Sequence, residues 1–164
     1  MNKTEIITFE KLPASIEELK QMADLNSPFK TAALAVAVFA NYEKNVDATV
    51  EMLNFLRGPR PLSQYDIQFI RDRLAGKGYV IRSYFKGTSP ANDYTPSAPY
   101  QVEVSDNPYS YTNEGYATLW LKSSGADSPR QVTLRNKPST GEWFLWEAMF
   151  LGDIRIPASQ DEWA

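Results

Sequence analysis

The chain has 164 residues, 43% hydrophobic and 23% charged, with a formal net charge of −3; that length suits one globular domain, residues 1–164, and that charge gives no overall pull toward nucleic acid or an anionic membrane. It contains no cysteine and no histidine. Disulfides, thiolate nucleophiles, Cys-built zinc sites, Ser-His-Asp triads and His-held haem are therefore excluded, and any catalysis would run on Asp, Glu, Lys, Arg, Tyr or Ser/Thr.

Residues 1–12 lack a basic region followed by an apolar one, so no secretory signal is expected there. The longest apolar run, residues 31–40, falls far short of the roughly 20 residues that span a bilayer. A cytoplasmic location without membrane contact is the expectation.

The first half reads as helix. Ser15, followed three residues later by Glu18, has the form of a capping box, and Ile16, Leu19, Met22 and Ala23 recur at helical spacing as far as about Leu25. Asn26-Ser27-Pro28 breaks that helix and starts a second over residues 29–42, apolar nearly all round and rich in alanine, as a buried central helix should be. Asp47 is expected to open a third, striped by Val46, Val50 and Leu53 and stopped by Gly58-Pro59. Ser63 caps a fourth with Asp66 three residues on; Ile67, Ile70 and Leu74 form its inner face and Gly76 ends it.

The period then changes to alternation. Strands are expected at residues 79–85, 100–104, 116–122, 131–135 and 143–150, with hairpin connections at 123–130 and 136–142 and an exposed loop over 87–99. Helices first and strands second predict an α+β fold, about four N-terminal helices packed on a C-terminal antiparallel sheet of four to six strands. At the level of pattern alone this resembles the cystatin-like or NTF2-like cone, an analogy of architecture and not of function.

Two groups of residues are candidates for function. Between residues 57 and 86 there are seven basic side chains (Arg57, Arg60, Arg71, Arg73, Lys77, Arg82 and Lys86) against Asp66 and Asp72, a local balance of +5 that leaves the remainder at −8. This is either a basic patch for phosphate, RNA or an acidic partner, or the solvated face of a helix with Lys77 complementing its C-terminal dipole. The second group is the sheet face opposite the core side of Ala117, Leu119, Leu121, Val132 and Leu134. Tyr116, Thr118, Trp120, Thr133 and Arg135 point to that other face, and strand five offers it either Trp143, Leu145 and Glu147 or Phe144, Trp146 and Phe150. Tyr116, Trp120, Arg135, Trp143 and Glu147 are accordingly the candidates for a pocket or an interface. The ordinary alternative is covered core, with Arg135 and Glu147 as a cross-strand pair. The tyrosines between 94 and 116 read as loop aromatics tucked onto the sheet edge.

No metal site, cofactor motif or catalytic constellation is present in the pattern: Gly76-Lys77-Gly78 lacks the context of a phosphate loop, and the adjacent acids at 17–18 and 161–162 sit at a helix start and a chain end. The expectation is a binding or protein-interaction domain without enzymatic activity, a homo-oligomer or protein partner being compatible and nucleic acid disfavoured. The alternative is an enzyme using Asp, Glu or Tyr in a sheet pocket.

The C-terminal run Trp143-Phe144-Leu145-Trp146-Glu147, then Ile154-Arg155-Ile156-Pro157 and Asp161-Glu162-Trp163, resembles a bacterial family, mainly from Firmicutes, known as a domain of unknown function. Its members end in a Trp-x-Leu-Trp-Glu strand, an Ile-Arg-x-Pro segment and a final Asp-x-Trp; this chain differs in carrying Ala148-Met149-Phe150 after the strand. The resemblance covers about the last twenty residues and implies a bacterial origin and an α+β domain, with no activity or catalytic residue attached. Ile154, Ile156 and Trp163 would pin this tail to the domain, with Arg155 reaching a carboxylate.

Overall fold

A computed structural model describes residues 2–164. Its elements run β1 (Thr4–Phe9), α1 (Ile16–Met22), α2 (Pro28–Phe39), α3 (Val46–Arg57), α4 (Gln64–Leu74), α5 (Tyr79–Arg82), β2 (Tyr100–Ser105), β3 (Tyr116–Leu121), β4 (Arg130–Lys137) and β5 (Glu142–Met149). The five strands form one open antiparallel sheet in the order β1-β2-β3-β4-β5, so the helices are all inserted between the first two strands. The α+β expectation is met: four main helices precede four of the five strands and pack on the sheet.

Local chemistry explains where the helices start. Ser27 accepts hydrogen bonds from the N–H groups of Phe29 and Lys30, and Pro28 takes the first helical position, where no N–H is needed. Every residue of α2 from Thr31 to Phe39 is buried. The alanines let α2 lie close to the sheet, where it touches all five strands, while α3 packs against both α2 and β5. Asn45, two residues ahead of the expected Asp47, caps α3 through the N–H of Ala48. At α4 the capping box is complete: Ser63 Oγ accepts from the Asp66 N–H at 3.1 Å, and Asp66 Oδ2 accepts from the Ser63 N–H at 2.9 Å.

Two expectations, the strand over 79–85 and the residues that pin the tail, are corrected. The segment 79–85 is not a strand: it opens with the short helix α5, and of its residues Phe85 alone is bridged to the sheet, to Val102. Its buried hydrophobic residues, Val80, Ile81, Tyr84 and Phe85, stand at helical spacing, and Tyr84 donates its hydroxyl to the Phe150 carbonyl at 2.6 Å. The fifth strand is instead β1, which pairs with β2 along its full length. The loop over 87–99 is largely exposed, as expected, but it is anchored: Tyr94 is fully buried and its hydroxyl donates to the Arg155 carbonyl at 2.7 Å. That bond, with Arg155 N–H donating to the Gly125 carbonyl, pins the C-terminal tail. Ile154 is buried and Arg155 pairs with Asp127, but Ile156 is 44% and Trp163 92% exposed, so neither of the last two holds it.

The outer edge of β5 is closed by side chains and loops. Trp143 donates its N–H to the Leu25 carbonyl at 2.8 Å, and its own carbonyl accepts from Thr31 Oγ1 at 2.9 Å. Within the sheet, β4 and β5 lose step between Thr133 and Leu134: Thr133 faces Glu147 while Leu134 faces Leu145. Trp146 is thus one residue too many on β5, a β-bulge.

Candidate functional site

Between α4 and β5 lies a cleft of about 650 Å³. Its geometry begins at the end of α3. Gly58 adopts φ 61° and ψ −122°, a conformation that suits glycine at the first corner of a type II′ turn. Pro59 follows, and the Arg60 N–H reaches back to the Arg57 carbonyl at 3.4 Å. The turn sends Arg60 across the edge of β5 and carries the chain into α4.

Arg57 ties these pieces together. Only 9% exposed, it donates through Nε to the Arg60 carbonyl at 3.0 Å and through Nη1 to the Trp146 carbonyl at 3.4 Å, with Asp66 Oδ2 at 3.7 Å from Nη2. Burial lowers the pKa of its guanidinium, and Asp66 opposes that shift. Burial would likewise raise the Asp66 carboxyl, but the hydrogen bonds from Ser63 and the charges of Arg57 and Arg60 outweigh it and hold the group below its ordinary value. Arg57 and Asp66 are therefore occupied in building the wall.

The bulge supplies the opposite wall. It aims the Trp146 ring to where the Arg60 guanidinium lies 4.2 Å from its centre and that of Arg135 4.6 Å away. Arg135 also sits 5.4 Å from the Tyr116 ring, and Tyr116 meets Trp146 edge-on at 5.5 Å. Arg60, Trp146, Arg135 and Tyr116 thus form one continuous stack of cations and rings from the cleft onto the outer face of the sheet. Along α4, Tyr65, Phe69 and Arg73 stand four residues apart on one face and line the cleft. The Arg73 guanidinium lies 4.9 Å from the Phe69 ring, and Tyr65 is 78% exposed at the rim. Arg130 lines it from β4, its Nη2 donating to the Asp153 carbonyl at 2.6 Å. Among the described residues, no group of three or more Asp or Glu stands close enough to hold a metal ion, and no helix is long and apolar enough to cross a membrane.

The family model for a domain of unknown function, DUF6935, matches residues 11–158. The chain belongs to this family. Among curated proteins and among solved structures, nothing matches it.

In this DUF6935 domain the seven basic residues of 57–86 do not share one face. Arg57, Arg60 and Arg73 line the cleft. Arg82 is held by both carboxylate oxygens of Glu43, at 2.6 and 2.8 Å, and Lys86 stands 3.6 Å from Glu103. Arg71 and Lys77 are exposed and lie outside the cleft wall.

The sheet candidates divide as well. Tyr116 and Arg135 are opposite each other in the β3–β4 ladder, and Glu147, opposite Thr133, lines the cleft. No ion pair joins Arg135 to Glu147: Glu147 faces Thr133, and Phe144 stands opposite Arg135. Trp143 stands apart: it is opposite Asn136 and packs against the core, so it fastens β5 to the helices. Trp120 is half-buried beside Ser105 of β2, and its indole N–H is buried without a hydrogen-bond partner. Trp146, Arg130, Tyr65 and Phe69 were not among the candidates. For Tyr65 and Phe69 a signal existed, two aromatics four apart on the helix face away from Ile70 and Leu74; Trp146 stood in the alternative set that strand five offered to the second face, and for Arg130 the sequence carries none.

Proposed function

We propose that this DUF6935 domain is a non-enzymatic binding domain of a bacterial cytoplasmic protein, and that a small ligand occupies the cleft between α4 and β5. The observation that carries this reading is the bulge that turns Trp146 toward the cleft. β-Bulges commonly re-aim a side chain beside a functional site, and this one meets arginines and exposed aromatics around a volume of about 650 Å³, within the usual range for small-ligand sites. The C-terminal Trp-x-Leu-Trp-Glu pattern contributes Trp146 and Glu147 to that wall, which gives the motif a role; a bacterial origin follows from the same pattern.

The carboxyls whose titration clearly shifts support binding over acid–base chemistry. Glu18 is lowered by its hydrogen bond from Lys11, Asp24 by that from Lys30, and Asp66 by Ser63 against its own burial. A general acid in a pocket calls for the opposite shift. Dispersal of the basic segment weighs against a nucleic-acid track, which needs a continuous stripe of cations.

A fragment screen by saturation-transfer NMR, repeated on Trp146→Ala and Phe69→Ala, tests the proposal. Hits that disappear in both variants, while the thermal melt stays cooperative, are the expected result. Fragments that bind the two variants and the wild type alike would place binding elsewhere and sink it.

A further inference from the structure

The arginines of the cleft are of two kinds. Arg57 and Arg130 direct their N–H groups at protein carbonyls. Arg60 and Arg73 do not: among the described residues neither donates a side-chain hydrogen bond, and neither has a carboxylate within salt-bridge distance. Each instead lies by its guanidinium against a ring, Arg60 on Trp146 and Arg73 on Phe69. A guanidinium attracted to a ring in this way spends no hydrogen bond on a protein oxygen, so its N–H donors remain for a carboxylate or phosphate. Two such guanidiniums, each held near a ring and without a hydrogen-bond acceptor among the described residues, line one cleft.

We infer that the cleft takes a small organic anion bearing a flat ring, its phosphate or carboxylate held by Arg60 and Arg73 and its ring laid against the exposed aromatics of α4. This rests on the binding-domain reading above and names the ligand class. The ring follows from Tyr65 and Phe69, which leave apolar surface uncovered on the same helix face as Arg73. The small size follows from charge. Glu147 and Asp153 also line the cleft, and the whole chain stands at −3, so a polyanion such as RNA meets repulsion outside the arginine pair, while one compact anionic group does not.

The test uses three probes on the full chain: phenyl phosphate, inorganic phosphate and benzyl alcohol, carrying respectively both features, the anion alone and the ring alone. Arginine side-chain Nε–H signals in 15N NMR spectra report the contact, assigned by the signals that vanish in Arg60→Lys and Arg73→Lys. Phenyl phosphate is expected to move the Arg60 and Arg73 signals and to bind at least about tenfold more tightly than either half. Arg60→Gln and Arg73→Gln should each weaken it by about tenfold or more, as loss of a charge-assisted hydrogen bond does, while Arg71→Gln, outside the cleft, leaves it unchanged. Benzyl alcohol binding as tightly as phenyl phosphate, with cleft signals moving, would overturn the anion class and leave the small-ligand reading standing. Equal losses in Arg71→Gln would also overturn it, as diffuse surface attraction. If no probe moves a cleft signal, both readings fall.

Discussion

Replacing Gly58 by alanine tests how the cleft is held open. At φ 61° and ψ −122° an L-residue is strained, and a Cβ built there would lie 2.6, 2.7 and 2.9 Å from three carbons of the Phe144 ring. Phe144 is half-buried on β5, with its backbone in register against Arg135, so the ring has little freedom to withdraw. The backbone strain is worth roughly 1–3 kcal/mol and the forced overpacking a further 1–3 kcal/mol. Gly58→Ala is therefore expected to lose about 3 kcal/mol in urea unfolding, with an unchanged m-value. Gly76→Ala is the matched control, because Gly76 has φ +70° with nothing within 4 Å of the added carbon; it should lose only the strain, about 1 kcal/mol. In a Phe144→Ala background Gly58→Ala should keep only its backbone strain, roughly 1–3 kcal/mol, and lose the overpacking part, a coupling of about 1–3 kcal/mol. If Gly58→Ala costs no more than Gly76→Ala in the wild-type background, the ring yields and the reasoning is wrong.

Two further predictions concern titration. The Asp66 carboxyl is depressed in the fold, so its contribution is fully present above the ordinary value of 3.8 and is lost as pH falls through the lower folded value. Urea melts of Asp66→Asn and wild type should differ most near neutrality and converge in acid; a gap that is constant with pH would count against the assignment. Burial pushes the Tyr84 phenol up, so above the ordinary value of 10.0 the unfolded chain releases a proton that the fold retains, and stability falls as pH rises. Tyr84→Phe should lose about 1–2 kcal/mol at pH 7 with its hydrogen bond to Phe150 and show a shallower alkaline decline, measured by the same melts; an unaltered decline would refute the link.

How far the sequence was legible follows from the range of the interactions involved. The starts of α2 and α4 were readable because Ser27-Pro28 and Ser63 with Asp66 act on backbone within one turn of themselves. Strands β3 and β4 were readable because alternation is also local. β1 escaped notice because its six residues become a strand only by pairing with β2 some hundred residues away. Residues 79–85 misled because aromatic and β-branched side chains report burial, and burial is common to a strand and to a packed helical turn; the buried hydrophobic positions 80, 81, 84 and 85 carried the helical spacing all along. The cleft was legible only in fragments. Arg60, Arg73 and Glu147 were singled out for unrelated reasons, and what joins them is a turn at Gly58 and a slipped register at Thr133, neither of which alternation can reveal.

That slipped register has a consequence for how the domain could be shortened. On either side of it the ladder is continuous, Leu145 with Leu134 and Glu147 with Thr133. Excising Trp146 alone would let the two halves of β5 close into a regular strand, so the sheet contains a residue that its own hydrogen bonding does not require. The usual order of damage is then reversed: removing a whole tryptophan costs the scaffold no ladder partner, whereas trimming a neighbour such as Leu145 opens the core. A one-residue deletion at this point would separate the strand pairing that the fold needs from the cleft wall that is proposed to hold a ligand.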